Sequence, residues 1–155
     1  MSYVQSVLQP DERVRYLTNI HWIIFLPGIG LLMLAILFYL LALGTTTGYT
    51  FWAVVAAILL ILAAIALLSA WFRRFTTEIA VTDRRIIYKR GFVSRRTIEM
   101  QMDKVESVDV NQTVMGRILN YGDIIVRGVG VGIEPLNNIE SPIEFRNHVT
   151  GERAA

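Results

Sequence analysis

A chain of 155 residues is long enough for one ordinary domain, or for a small domain together with membrane segments. Hydrophobic residues make up 54% and charged residues only 18%, below the roughly 25% charged residues of an ordinary soluble domain, so the composition points to a membrane protein. No cysteine is present, which excludes disulfides, thiol catalysis and cysteine-held metal or iron–sulfur centres.

The net charge of +2 conceals an uneven distribution. Residues 1–72 balance two acids with two bases, residues 73–96 hold eight bases and two acids, and residues 97–155 hold five bases and nine acids. The basic character is therefore a local belt. The two histidines, His21 and His148, are far apart and belong to no ligand pattern.

Residues 1–19 read as a polar cytoplasmic lead, in which Pro10-Asp11-Glu12-Arg13 makes a turn followed by a short helix or strand. A signal peptide is not expected: the positive n-region is missing, and two long apolar runs follow. Residues 20–72 read as a transmembrane helical hairpin. Its first run, 20–43, and its second, 51–72, are uncharged, and ~20 apolar residues cross a hydrocarbon core. Pro27 is expected to kink the first helix without functional consequence. Gly44–Thr50 is an uncharged turn, and Trp22, Trp52 and Trp71 mark interfacial ends of the spans.

The bases set the orientation. None lies in the turn, whereas Arg13 and Arg15 precede the first run and Arg73, Arg74, Arg84 and Arg85 follow the second. Both termini are thus expected in the cytoplasm. Small residues are frequent in the second run. Ala53 and Ala57, and Ala66 and Ala70, have the four-residue spacing that lets helices approach closely, either within the hairpin or between two copies.

A soluble domain is expected over residues 75–155. Alternation from Phe75 to Thr82 predicts a strand, Thr82-Asp83-Arg84 a turn with Asp83 bonding its own backbone, and Arg85–Arg90 a second strand. Gly91 reverses the chain into a third strand over 92–100, completing an antiparallel meander. A fourth strand holds Val105, Val108 and Val110. Gln112–Leu119 reads as a short helical turn or as a loop packed on the core, and Asn120–Asp123 as a turn. Ile124–Val129 is a strand followed by Gly130 and Gly132; the glycines read as a bend, since no helix with a lysine–serine/threonine pair follows. One or two last strands cover 133–139. A helix from Pro142 is expected to open on a capping box of Ser141 and Glu144.

The segments TEIAVTDRRIIYKRGFVSRRTIEM, DKVESVDVNQTVMGRILNYGDIIVRGVG and SPIEFRNHV resemble the bacterial PH-like domain family, nearest its YdbS-like membrane proteins with an N-terminal two-helix hairpin. The resemblance covers roughly residues 8–150. It implies a small, strongly bent antiparallel β-sandwich or partial barrel closed by a C-terminal α-helix, carried behind the transmembrane hairpin.

The expected function is non-enzymatic. No nucleophile–base pair, metal cluster or phosphate loop can be assembled, and the spans lack the ionisable groups of an ion pathway apart from His21 at one end. No cofactor, small-molecule substrate or nucleic-acid partner is implied. The protein is expected in the bacterial plasma (inner) membrane, presenting the PH-like domain at the cytoplasmic face as a scaffold or oligomerising adaptor for a protein partner or for itself. The alternative is an anionic-lipid-binding or membrane-stress-sensing module. Its headgroup contacts would be Arg73, Arg74, Arg84, Arg85, Lys89, Arg90, Arg95 and Arg96, each base near an anionic leaflet contributing about 1 kcal/mol.

Overall fold

A computed structural model describes residues 7–91, 96–129 and 135–151. The chain folds into two compact units. One comprises Trp22–Phe72; the other combines the residues up to His21 with those from Arg73 onward.

The first unit is a helical hairpin. A 3-10 turn, Trp22–Phe25, leads into α1 (Leu26–Gly44), and a short link precedes α2 (Tyr49–Thr76). Pro27 does not kink a helix interior. It occupies the first turn of α1, where a missing N–H has no intrahelical partner to lose. Gly48 takes φ +95° in the link, a conformation glycine adopts without a Cβ clash. Both helices are long and apolar enough to cross a membrane, and only 11% of each apolar window is buried, unlike the core helix of a soluble domain.

The hairpin closes on a repeat of seven. The buried residues are Gly28, Ala35 and Ala42 in α1 and Ala56, Ala63 and Ala70 in α2. Small side chains at that interval let two antiparallel backbones approach along one seam. The approach is tight at Gly28, where an added Cβ would lie 2.7 Å from the Leu67 side chain. Of the four alanines singled out by the four-residue spacing, Ala70 lies in this seam. Ala53 and Ala57 instead line an open apolar groove with Ala35, Ile36, Tyr39, Ala56 and Leu60, and Ala66 accepts a bond from the Ser69 hydroxyl through its carbonyl.

Among the described residues the second unit holds seven strands: β1 (Val14–Thr18), β2 (Glu78–Thr82), β3 (Arg85–Arg90), β4 (Arg96–Gln101), β5 (Val105–Asn111), β6 (Tyr121–Gly128) and β7 (Leu136–Glu140). They form two antiparallel sheets, β1-β2-β3-β4 and β5-β6-β7. A short helix α3 (Val114–Ile118) joins β5 to β6, and α4 (Pro142–Thr150) follows β7. The α4 side chains Pro142, Phe145 and Val149 are buried, and the helix packs on β1, β2, β5 and β6, drawing the two sheets together.

Register explains the core. Ile79 and Val81 of β2 stand opposite Tyr88 and Ile86 of β3, and Ile86 opposite Met100 of β4, so these side chains share one face. Ile124 and Val126 of β6, with Leu136 and Ile139 of β7, supply the other sheet's buried residues.

Several expectations are corrected. The residues before the apolar run are not a separate lead: Val14–Thr18 pairs with β2, Ile20 bridges to Ile139, and the His21 N–H donates to the Asn138 carbonyl at 2.7 Å. The hairpin thus begins at Trp22 rather than Ile20. Phe75 and Thr76 finish α2 rather than starting a strand, because the helix continues through the basic pair into Thr76. Tyr121–Asp123 belongs to β6 rather than to a turn. The α4 capping box does not form: Ser141 is left-handed (φ 49°) without a side-chain cap. Its hydroxyl accepts from Asn120 Nδ2 at 2.8 Å, and Glu144 accepts from the Tyr16 hydroxyl. Of the expected third strand over 92–100, residues 96–100 fall in β4, while residues 92–95, and Gly130, Gly132 and the strand start at Ile133, lie outside the described residues.

Candidate functional site

The eight bases proposed as headgroup contacts separate along the β2–β3–β4 meander. Thr77 begins it where the chain leaves α2, and the Asp83–Arg84 turn ends β2. Five strand residues lie between Thr77 and Asp83, a separation of roughly 20 Å over six steps of ~3.3 Å. The register sets Lys89 opposite Glu78 and Thr97, and Arg90 opposite Arg96, at the end where α2 arrives. Arg73 and Arg90 line one small pocket there with Ile20, Thr77, Tyr88 and Leu136. Arg74 is close enough to His21 to act on its charge. Burial pushes the His21 imidazole below its usual range; Arg74 adds to that effect and Glu140 opposes it. Arg84 and Arg85 stand at the opposite end, and Arg95 lies outside the described residues.

Arg85 is occupied internally. Its Nε and Nη2 donate to the two Glu12 carboxylate oxygens at 2.9 and 2.8 Å, Nη1 to Glu99 at 2.7 Å, and Nη2 also to the Val7 carbonyl at 3.0 Å. Glu12 accepts further from the Thr82 hydroxyl at 2.7 Å and the Gln9 N–H at 2.9 Å. Its side chain is fully buried. These bonds, the Arg85 side chain first, outweigh the cost of burial and lower the Glu12 carboxyl from 4.5 to about 2. The bidentate pair fastens the segment before β1 onto the outer face of the sheet. The turn itself is held differently from the expectation. The Thr82 hydroxyl accepts from the Arg84 and Arg85 N–H groups, while Asp83 accepts from the Arg13 N–H across the β1–β2 pair.

Beside this clamp lies a cavity of about 640 Å³, lined by Gln9, Arg84, Arg85, Glu99, Met100, Gln101, Asp103, Lys104, Gly128 and Val129. It opens where the edge strand β4 hands over to β5. Its floor is tight: a Cβ on Gly128 would lie 2.6 Å from the Lys104 carbonyl. Both signs of charge face the cleft, and β4 is the last strand of its sheet among the described residues. The sequence reading missed both the clamp and the cleft, because they join residues more than seventy positions apart.

A family model for the bacterial PH domain matches residues 15–153. The chain therefore belongs to the bacterial PH domain family, and the match runs from β1 through the hairpin to the end of α4. No curated protein and no solved structure matches it.

Proposed function

We propose that this chain is a non-enzymatic integral membrane protein. Its hairpin spans the bacterial inner membrane, and its PH domain serves at the cytoplasmic face as an interaction module, a scaffold or a self-associating adaptor. The observation that carries the membrane part is the pair of apolar helices, whose surfaces are largely unburied and whose short link has no charge. Support for the interaction role comes from the mixed-charge cleft beside β4, the last strand of its sheet among the described residues. The tether is short: α2 runs to Thr76 and β2 begins at Glu78.

Purification from membranes in mild detergent, with mass determination of the particle, tests the interaction role. The expected result is a stoichiometric complex or a defined homo-oligomer that dissociates when Lys104 and Gln101 are replaced by Glu and Pro. A monodisperse monomer with no bound protein contradicts it.

A second reading has an observation of its own. Arg90 stands directly opposite Arg96, and Arg73 and Arg90 line one small pocket, so the strand register gathers basic side chains at the end of the meander next to Thr77. With Arg73 and Arg74 nearby in sequence to β2, the set suits anionic lipid headgroups. Replacing Arg73, Arg74 and Arg90 with Gln should reduce co-purifying phosphatidylglycerol, and Arg84→Gln should not. Equal lipid content in both variants excludes this reading.

A further inference from the structure

The helix α3 carries apolar side chains that the fold does not use. Val114, Met115 and Ile118 are 76%, 57% and 71% exposed, and Val114 is the most exposed large apolar side chain among the described residues. The helix is held by other means. The Thr113 hydroxyl accepts from the Gly116 N–H at 3.1 Å, and Gln112 Nε2 donates to the Tyr121 carbonyl at 3.0 Å. Gly116 is buried so close to that same carbonyl that a Cβ would lie 2.6 Å from it. Polar bonds and a glycine thus fix the backbone, and three large apolar groups point outward from a stable platform. A contiguous exposed apolar patch on an otherwise satisfied domain marks a contact surface.

Two observations bear on what covers it. Tyr121, against whose carbonyl the helix rests, stacks on His21 with ring centroids 5.3 Å apart. His21 is the last residue before the apolar run that opens at Trp22. The patch therefore lies beside the point where the chain leaves this unit for its membrane-length helices. The charge of α3 agrees: Arg117 is its single charged residue, and a base beside apolar side chains is the composition of a segment lying in an anionic lipid interface. We propose that Val114, Met115 and Ile118 insert into the boundary between headgroups and acyl chains, with Arg117 at the level of the phosphates. The inference rests on the reading that α1 and α2 span the bilayer, and it adds a third lipid contact, made by the PH domain itself.

The absence of cysteine makes the test direct. Met115→Cys, Ile118→Cys, Leu60→Cys in α2 and Gln101→Cys beside the cleft are each labelled with an environment-sensitive fluorophore. The full-length protein is reconstituted into phosphatidylcholine–phosphatidylglycerol vesicles containing lipids with a nitroxide at a shallow or a deep acyl position. The Met115 and Ile118 probes should lose emission about twofold with the shallow quencher, as an interfacial segment does. The Leu60 probe should respond to the deep quencher and the Gln101 probe to neither. Quenching at Leu60 without quenching at Met115 and Ile118 overturns the insertion and leaves the spanning hairpin intact. Failure at Leu60 overturns the spanning reading itself. Emission at Met115 that is shielded from both quenchers and rises with protein-to-lipid ratio assigns the patch to a second copy, and also overturns the proposal.

Discussion

Replacement of Glu12 by Gln keeps the shape of the side chain and removes its charge. A carboxyl held at about 2 in the folded protein instead of 4.5 carries about 3 kcal/mol of stability at neutral pH, at ~1.4 kcal/mol per pH unit. Removing one partner of a buried ion pair costs a similar about 3–5 kcal/mol, moderated here because Arg85 keeps Glu99. Because the folded value is depressed, the contribution is complete above about 4.5 and is lost as the pH falls toward about 2. Amide hydrogen exchange at Ile86 and Ile87 in the full-length protein reads it locally, since both are fully buried in β3 beside Arg85. At pH 7 their protection should fall roughly a hundredfold in Glu12→Gln, the equivalent of about 3 kcal/mol. The wild-type protein should lose that advantage between pH 4.5 and 2, and the variant should not. Equal protection at pH 7 together with parallel pH profiles refutes the clamp as a source of stability.

Two further substitutions test close approaches. Gly28→Val drives a side chain against Leu67 and should destabilise the hairpin by about 1–3 kcal/mol, seen as earlier loss of helical circular dichroism on titration with a denaturing detergent. Gly116→Ala meets the Tyr121 backbone carbonyl at 2.6 Å, which cannot step aside as a flexible side chain can. A cost of about 1–3 kcal/mol is expected, read as lowered exchange protection at Gly122 and Ile124, and unchanged protection there would contradict the packing.

Local pattern made much of this fold legible. The uncharged runs gave both helices, the alternation around Ile79 and Ile86 gave the central strands, and Pro142 marked the start of α4. What stayed hidden depends on partners distant in sequence. Glu12 and Arg85 looked like a turn acid and a membrane-facing base, and only folding brings them within 2.8 Å. β1 was left open between helix and strand, because five residues with one β-branched pair at their ends gain strand character from β2, not from themselves. The seven-residue interval of Gly28, Ala35 and Ala42 was visible in the sequence. A four-residue spacing in α2 drew attention away from it, although α1 holds the matching half of the seam. The exposed trio on α3 has helical spacing that suits a core face equally well, and exposure alone distinguishes the two.

The central claim is that the hairpin crosses the membrane and leaves the PH domain on the cytoplasmic side. Single cysteines at Thr46 in the link and at Thr150 at the end of α4 test it in intact cells, with a membrane-impermeant maleimide. The account predicts labelling at Thr46 from outside and labelling at Thr150 only after the inner membrane is permeabilised. Labelling of Thr150 in intact cells, or protection of Thr46 until permeabilisation, contradicts it.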